Sequence, residues 1–250
     1  MTTATAQDRA WRLTAIGQPI IIIALAVGVL WWAFSRDLTA TQKATVNGPY
    51  VWKLIVEHLE ITLTVTIIVL AVAIPLGVLL TRKRFRWLSP LVIGIANIGQ
   101  AAPAIGLLVL FFLATASIGF WIGVAPLAFY SLLPVLRNTM LGLREVDPTI
   151  IDAARGQGMS AGRILWKIEL PLAVPFILAG LRTSLVLAVG TATLAFLVNA
   201  GGLGILIDTG YKLRDNVTLI LGSVLAVCLA LTVDWLGALA ERYLGPKGLR

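Results

Sequence analysis

Histidine and cysteine occur once each in the 250 residues, as His58 and Cys228. A single histidine excludes histidine-based catalytic triads and multi-histidine metal sites. A single cysteine, set in an apolar run, excludes an intrachain disulfide and says nothing about redox compartment. Charge is also scarce, at 13% of residues, where soluble domains carry about 25%. Acidic residues are the scarcer sign: 12 against 20 Lys and Arg, for a net charge of +8. A basic excess raises the question of nucleic acid, which depends on where the charges fall. A phosphate-binding loop is missing too. "GQGMSAGR" places Gly156 and Gly162 one residue too far apart, with Arg163 where lysine is required. No cofactor or metal is expected.

What the chain does have is apolar length. Hydrophobic residues make up 58%, and mean hydropathy is +0.92. A bilayer core needs about 20 apolar residues in a helix. Six stretches qualify, about 19–34, 61–80, 88–113, 123–143, 172–198 and 217–239. An all-α membrane protein of about six transmembrane helices follows. The third stretch contains Pro103, which allows either one kinked helix or two half-helices across 88–116. The first stretch is short and follows a basic segment, as a signal peptide would. No small-residue cleavage site follows it closely, and Trp31 and Trp32 suit an interfacial anchor, so a retained helix is expected. His58, beside Glu57 and Glu60, reads as a solvated helix end rather than a proton relay.

Alternating the six stretches across a membrane sorts the cations. One side collects Arg9, Arg12, Arg82, Lys83, Arg84, Arg86, Arg137, Arg144, Arg155, Arg163, Lys167, Arg242, Lys247 and Arg250, fourteen in all. The other collects five: Arg36, Lys43, Lys53, Lys212 and Arg214. Arg182 remains inside a span. The positive-inside rule makes the first side cytoplasmic, with both termini on it. Lipid and topology account for the +8, so no nucleic-acid partner is expected.

The longest polar insert, 144–171, lies on that basic side. Asp147-Pro148 favours a turn and a helix start. "TIIDAARGQ" reads as a short helix, ended by Gly156 and Gly158. Ser160 is a good N-cap for a second short helix over about 161–169, whose Ile164, Leu165 and Ile168 recur at helical spacing. Leu170-Pro171 then opens the next span. From the residues alone, both a loop resting on lipid headgroups and a protein docking site remain open.

The insert resembles the cytoplasmic motif of permease subunits of ATP-binding-cassette importers: Glu-Ala-Ala, three residues, Gly, nine residues, Ile, one residue, Leu-Pro. Here it reads Asp152, Ala153, Ala154, then Gly158, Ile168, Leu170 and Pro171. Every spacing matches, and Asp152 replaces Glu. "AGLRTSLVLAVGTATLAFLVNAGGLGILIDTGY" and "GQAAPAIGLLVL" are similar to permeases for osmoprotectants such as glycine betaine, choline and carnitine. In the second segment Ala101 and Ala104 stand where that group has hydroxyl residues.

The likeness covers about 61–244. It implies a five-helix type I importer core preceded by an N-terminal segment, 1–60, that holds the first helix. It also implies several partners: cytoplasmic ATPase subunits that bind the ATP, a second permease subunit, identical or homologous, and an extracytoplasmic substrate-binding protein. The location would be a prokaryotic inner membrane, and the chain itself would not be an enzyme. Within the class, a permease for methionine or another amino acid is the alternative. An ion-coupled secondary transporter would usually need intramembrane carboxylates, and here only Asp234 lies well inside a span. A non-transporting scaffold would not need the spaced motif.

The spans are sparsely polar. Asn97, Gln100, Thr191, Thr193, Arg182 and Asp234 are the candidates for a translocation path, with helix–helix hydrogen bonding as the simpler role for each. Arg182 sits roughly 15 Å into its span, where an unpartnered arginine costs at least about 2.5 kcal/mol. Three arrangements answer that cost: a pair with Asp234 in the last span, a water-filled path, or backbone carbonyls freed near Pro103.

Overall fold

The computed structural model describes residues 2–244, with side chains from Ala15 onward. Lys247 and Arg250, counted above on the basic side, lie outside the described residues. Among these residues the regular structure is helical throughout. α1 runs Thr2–Phe34, and α2, Ala40–Thr45, is a single turn and a half. α3 runs Gly48–Thr81. α4 (Ser89–Ala101) and α5 (Ala104–Thr115) form a bent pair. α6 is Phe120–Arg144, and α7 (Pro148–Gly156) and α8 (Ala161–Ile164) occupy the polar insert. α9 runs Leu170–Ala192, α10 Gly204–Lys212 and α11 Asn216–Leu244.

Among the described residues, five helical segments are long and apolar enough to cross a bilayer: 15–34, 48–81, 120–144, 161–192 and 216–244. The third expected span is not one helix. Its two halves bend by 104° at Ala102-Pro103. At 13 and 12 residues, each half spans under about 20 Å and cannot cross alone. The break has a simple cause. Pro103 has no N–H, and Ala102 is extended (φ −67°, ψ 143°), as a residue before proline prefers.

Other boundaries also move. α3 starts thirteen residues before the expected Ile61, because the Asn47 side chain caps it by accepting from the Tyr50 N–H. Glu57, His58 and Glu60 are therefore carried on a helix, and a division at 60/61 falls inside α3. The expected fifth span ends at Ala192. Beyond it a 3₁₀ turn and Asn199–Gly202, with φ positive at Asn199, Gly201 and Gly202, reverse the chain into α10.

Packing centres on α6, which is wrapped by α3, α9, α4 and α5. Ile61, Val65 and Val69 of α3 meet Leu127, Val135 and Leu136 of α6 and Ala188 of α9, all buried. Between lipid-embedded helices the hydrophobic effect adds little, so close contact must hold them. Small residues provide it. A β-carbon at Gly180 would lie 2.7 Å from the Pro134 carbonyl oxygen, and one at Gly142 would lie 2.9 Å from the Phe176 β-carbon. α1 packs antiparallel on α11: the Ala15 carbonyl accepts from Trp235 Nε1 at 2.9 Å, and Gln18 Nε2 donates to the Leu231 carbonyl at 3.2 Å. The start of α1 and the end of α11 therefore lie at the end that carries Arg82–Arg86, Arg144 and the polar insert, called here the basic end.

Candidate coupling segment and intramembrane polar sites

The insert folds at the basic end as two helical pieces joined by a glycine. The Asp147 carboxylate accepts from the Thr149 N–H at 2.8 Å and caps α7. That bond from the Thr149 backbone holds the Asp147 carboxyl below its ordinary range. α7 then presents Asp152 and Ala153 outward and buries Ala154. Asp152 pairs with Arg155 at 3.0 Å on the surface, a contact worth little in water. Gly156 remains helical, and Gly158 alone makes the turn, with φ +77°. The Ser160 hydroxyl caps α8, accepting from the Arg163 N–H at 3.4 Å.

The ending differs from the sequence expectation. Leu170-Pro171 does not separate a short helix from a span. The helix continues from Ala161 to Ala192 through a π-turn at Leu165–Glu169. Within it the Leu170 N–H reaches back to the Leu165 carbonyl. A proline inside a regular helix would clash with the preceding turn and leave a carbonyl unpaired. The wider turn accommodates Pro171, and the coupling segment becomes one rigid rod with α9. Ile168 lies in that π-turn, half-buried.

The motif's variable position proves informative. Glu169 is 7% exposed and takes a fork from Arg82 at the end of α3, with Nη1–Oε1 at 3.1 Å and Nη2–Oε2 at 2.6 Å. This bidentate pair ties α3 to the base of the coupling segment. Sequence reasoning missed it. Arg82 is one of four cations in a run, and nothing local marks it as the one that pairs.

In the membrane region, Arg182 meets Asp234. Nε donates to Oδ1 at 2.6 Å and Nη2 to Oδ2 at 2.9 Å. Glu241, two turns along α11, takes Nη1 at 3.4 Å. Gln18 of α1 donates to Asp234 Oδ2 at 3.5 Å. Gly237 makes room: a β-carbon there would lie 2.9 Å from Arg182 Cγ. The proposed bond to carbonyls near Pro103 does not form. The cluster borders an open cleft of about 450 Å³ with Ala179, Thr183, Val186 and Leu187.

The remaining path candidates do not converge with it. Thr191 Oγ1 donates to Leu187 O at 2.7 Å and Thr193 Oγ1 to Gly190 O at 2.6 Å, both within their own helix turn. Asn97 accepts from Arg137 Nη2 at 2.9 Å. Gln100 is half-buried, one turn beyond Asn97. Arg137 was counted with the basic end, yet it lies seven residues inside α6.

His58 is not a solvated helix end. It is fully buried, with Nε2 2.9 Å from Val189 O and Nδ1 accepting from the Leu203 N–H at 3.3 Å. Accepting at Nδ1 places the ring proton on Nε2, where it donates to Val189. Glu57 beside it accepts from the Gly202 N–H at 3.1 Å. Together they clasp the 199–203 loop against α3. The polar triplet signalled solvent because the α10 fold-back that covers it has no periodic trace in the sequence.

A family model described as "Binding-protein-dependent transport system inner membrane component" matches residues 73–246. The chain belongs to that family. As a permease component of a type I importer, it is a multi-pass inner-membrane protein, and the family's description implies partners in transport. Among curated relatives it is 40% identical over 194 residues to the choline transport system permease protein OpuBB of Bacillus subtilis (strain 168), covering 78% of this chain and 88% of that one. It is 36% identical over 208 residues to the osmoprotectant import permease protein OsmW of Salmonella typhimurium, covering 82% and 96%. Among solved structures it superposes on the MetNI methionine ABC transporter in an inward-facing conformation, with TM-score 0.67 and 25% identity over 80% of this permease and 100% of that chain.

Proposed function

We propose that this permease is the membrane-spanning subunit of an ATP-driven importer for osmoprotectants, small solutes such as glycine betaine, carnitine and choline. The observation that carries the reading is the exposed Asp152–Gly158 turn at the basic end, continuous through the π-turn with a spanning helix. A separate cytoplasmic ATPase docks there and supplies ATP hydrolysis, because the chain has no nucleotide loop of its own. Exposed Ala153 permits close approach, and Gly158 sets the turn. Closure of two ATPases moves the rods of two permease subunits, identical or homologous, and a binding protein delivers solute at the opposite end. With Arg137 set inside α6, a thirteen-to-five cation bias remains and supports a cytoplasmic basic end, with both termini on that side. The identity to relatives named for choline and osmoprotectants favours that solute class over methionine, since the likeness to the methionine transporter lies in the shared fold.

The test is uptake. The permease, its ATPase and its binding protein are expressed in a strain lacking osmoprotectant uptake and offered radiolabelled glycine betaine, carnitine, choline and methionine. ATP-dependent accumulation of the first three supports the reading. Accumulation of methionine alone replaces the solute class. Uptake that persists without the ATPase and follows a proton or sodium gradient replaces the mechanism.

A further inference from the structure

Two arginines lie within the spans, and they are treated differently. Arg182 is answered by two carboxylates. Arg137 is exposed, and among the described residues its one hydrogen-bond partner is the neutral amide of Asn97. Seven residues separate it from the end of α6 at Arg144, about 10 Å along the axis. Asn97 lies eight residues from the basic end of α4, about 12 Å. The amide therefore holds the guanidinium at depth and away from the headgroups. Helical side chains lean toward the N-terminus, which here also points away from the basic end. Gln100, one turn along the same face of α4, makes no hydrogen bond among the described residues. The patch thus combines one uncompensated cation, an amide that orients it, and an amide with free donors and acceptors.

Lipid does not suit this surface, since an arginine facing hydrocarbon costs at least about 2.5 kcal/mol without a counter-charge. Burial against an identical subunit would require an acid at that depth, and the acids of the spans' inner halves are already taken, Glu169 by Arg82 and Asp234 and Glu241 by Arg182. Water or an anionic group remains. We infer that Arg137 is a fixed positive charge of the translocation path that receives the carboxylate of zwitterionic solutes and disfavours cations that lack one. Asn97 takes one Nη2 hydrogen, so four of the five N–H donors, at Nε, Nη1 and Nη2, stay free for a carboxylate. This makes Arg137 a specificity-determining residue. The inference rests on the osmoprotectant reading.

The experiment uses the complete complex in proteoliposomes, with a Cys228→Ala background for the cysteine variant. Arg137→Gln should lower glycine betaine uptake about tenfold, the scale of one lost charged hydrogen bond, and leave choline uptake unchanged or raised. Arg137→Lys should retain part of the betaine uptake. Arg137→Cys should regain betaine uptake after reaction with an aminoethyl thiosulfonate. In that step the thiolate forms a disulfide and releases sulfinate, restoring a positive charge. A sulfonatoethyl reagent should not restore it. Equal loss or equal retention of the two solutes, or equal effects of the two reagents, would overturn the inference. So would a wild type that carries choline but no carboxylate-bearing solute. A wild type that carries none of these solutes removes the osmoprotectant reading and the inference with it, and that result is read before any variant is made.

Discussion

Asp234 and Glu241 share one arginine, and the sharing ranks three substitutions. Removing Arg182 strands two carboxylates. Removing Asp234 leaves Glu241 as a weaker partner at 3.4 Å, and removing Glu241 leaves the short pair intact. Arg182→Ala should therefore lower the thermal midpoint of the purified permease most, by about 5 °C or more on the cost of a stranded intramembrane charge. Asp234→Ala should lower it less and Glu241→Ala least. The exchanged pair, Arg182→Asp with Asp234→Arg, should recover part of the loss. Equal midpoints for the three single variants, measured by thermal unfolding in detergent, would contradict the sharing. The pair was legible because an arginine and an aspartate in adjacent antiparallel spans have few other places to go. Glu241 was hidden, since its place two turns along appears only once Gly237 lets Arg182 lie flat on α11. The fate of His58 was equally hidden. Burial of a polar residue depends on a distant loop, here 199–203, which no local pattern announces.

Helix packing in this chain depends on small residues at particular contacts, and two glycines of α9 separate that effect from helix propensity. Gly180→Ala would press a β-carbon to 2.7 Å from a backbone carbonyl oxygen of α6. Rigid overpacking of this kind costs about 1–3 kcal/mol. At Gly190 nothing lies within 4 Å, so Gly190→Ala should be neutral or stabilising by about 0.5–1 kcal/mol. Thermal unfolding of the two variants should show opposite signs, and a shared sign would mean that packing against α6 does not decide the matter. Apolar length located the long helices correctly. It left open whether Pro103 kinks one helix or makes two short ones, and it could not see that Pro171 sits inside a helix. The first depends on an extended Ala102. The second depends on a π-turn that widens the backbone just ahead of the proline, and hydropathy registers neither.

For the whole molecule, the antiparallel packing of α1 on α11 places the start of α1 and the end of α11 with the coupling segment, and the proposed topology sets that end in the cytoplasm. Single cysteines introduced as Ser160→Cys and Asp215→Cys, in a Cys228→Ala background, should label from opposite faces of intact cells. An impermeant reagent that reached position 160 from outside would invert the topology. The exposed turn around Gly158 is where we propose that a separate ATPase couples to transport. Gly158 has a left-handed backbone with open space around its missing side chain, so Gly158→Val acts through the turn and not through the core. The most direct measurement is ATP-driven uptake of glycine betaine into proteoliposomes holding the complete complex, wild type beside Gly158→Val. Wild-type vesicles should accumulate the solute, while the variant, present at equal level and with an unchanged thermal midpoint, should lose uptake by tenfold or more, as expected of about 1.4 kcal/mol or more withdrawn from docking. Equal ATP-driven uptake by the two would contradict the account.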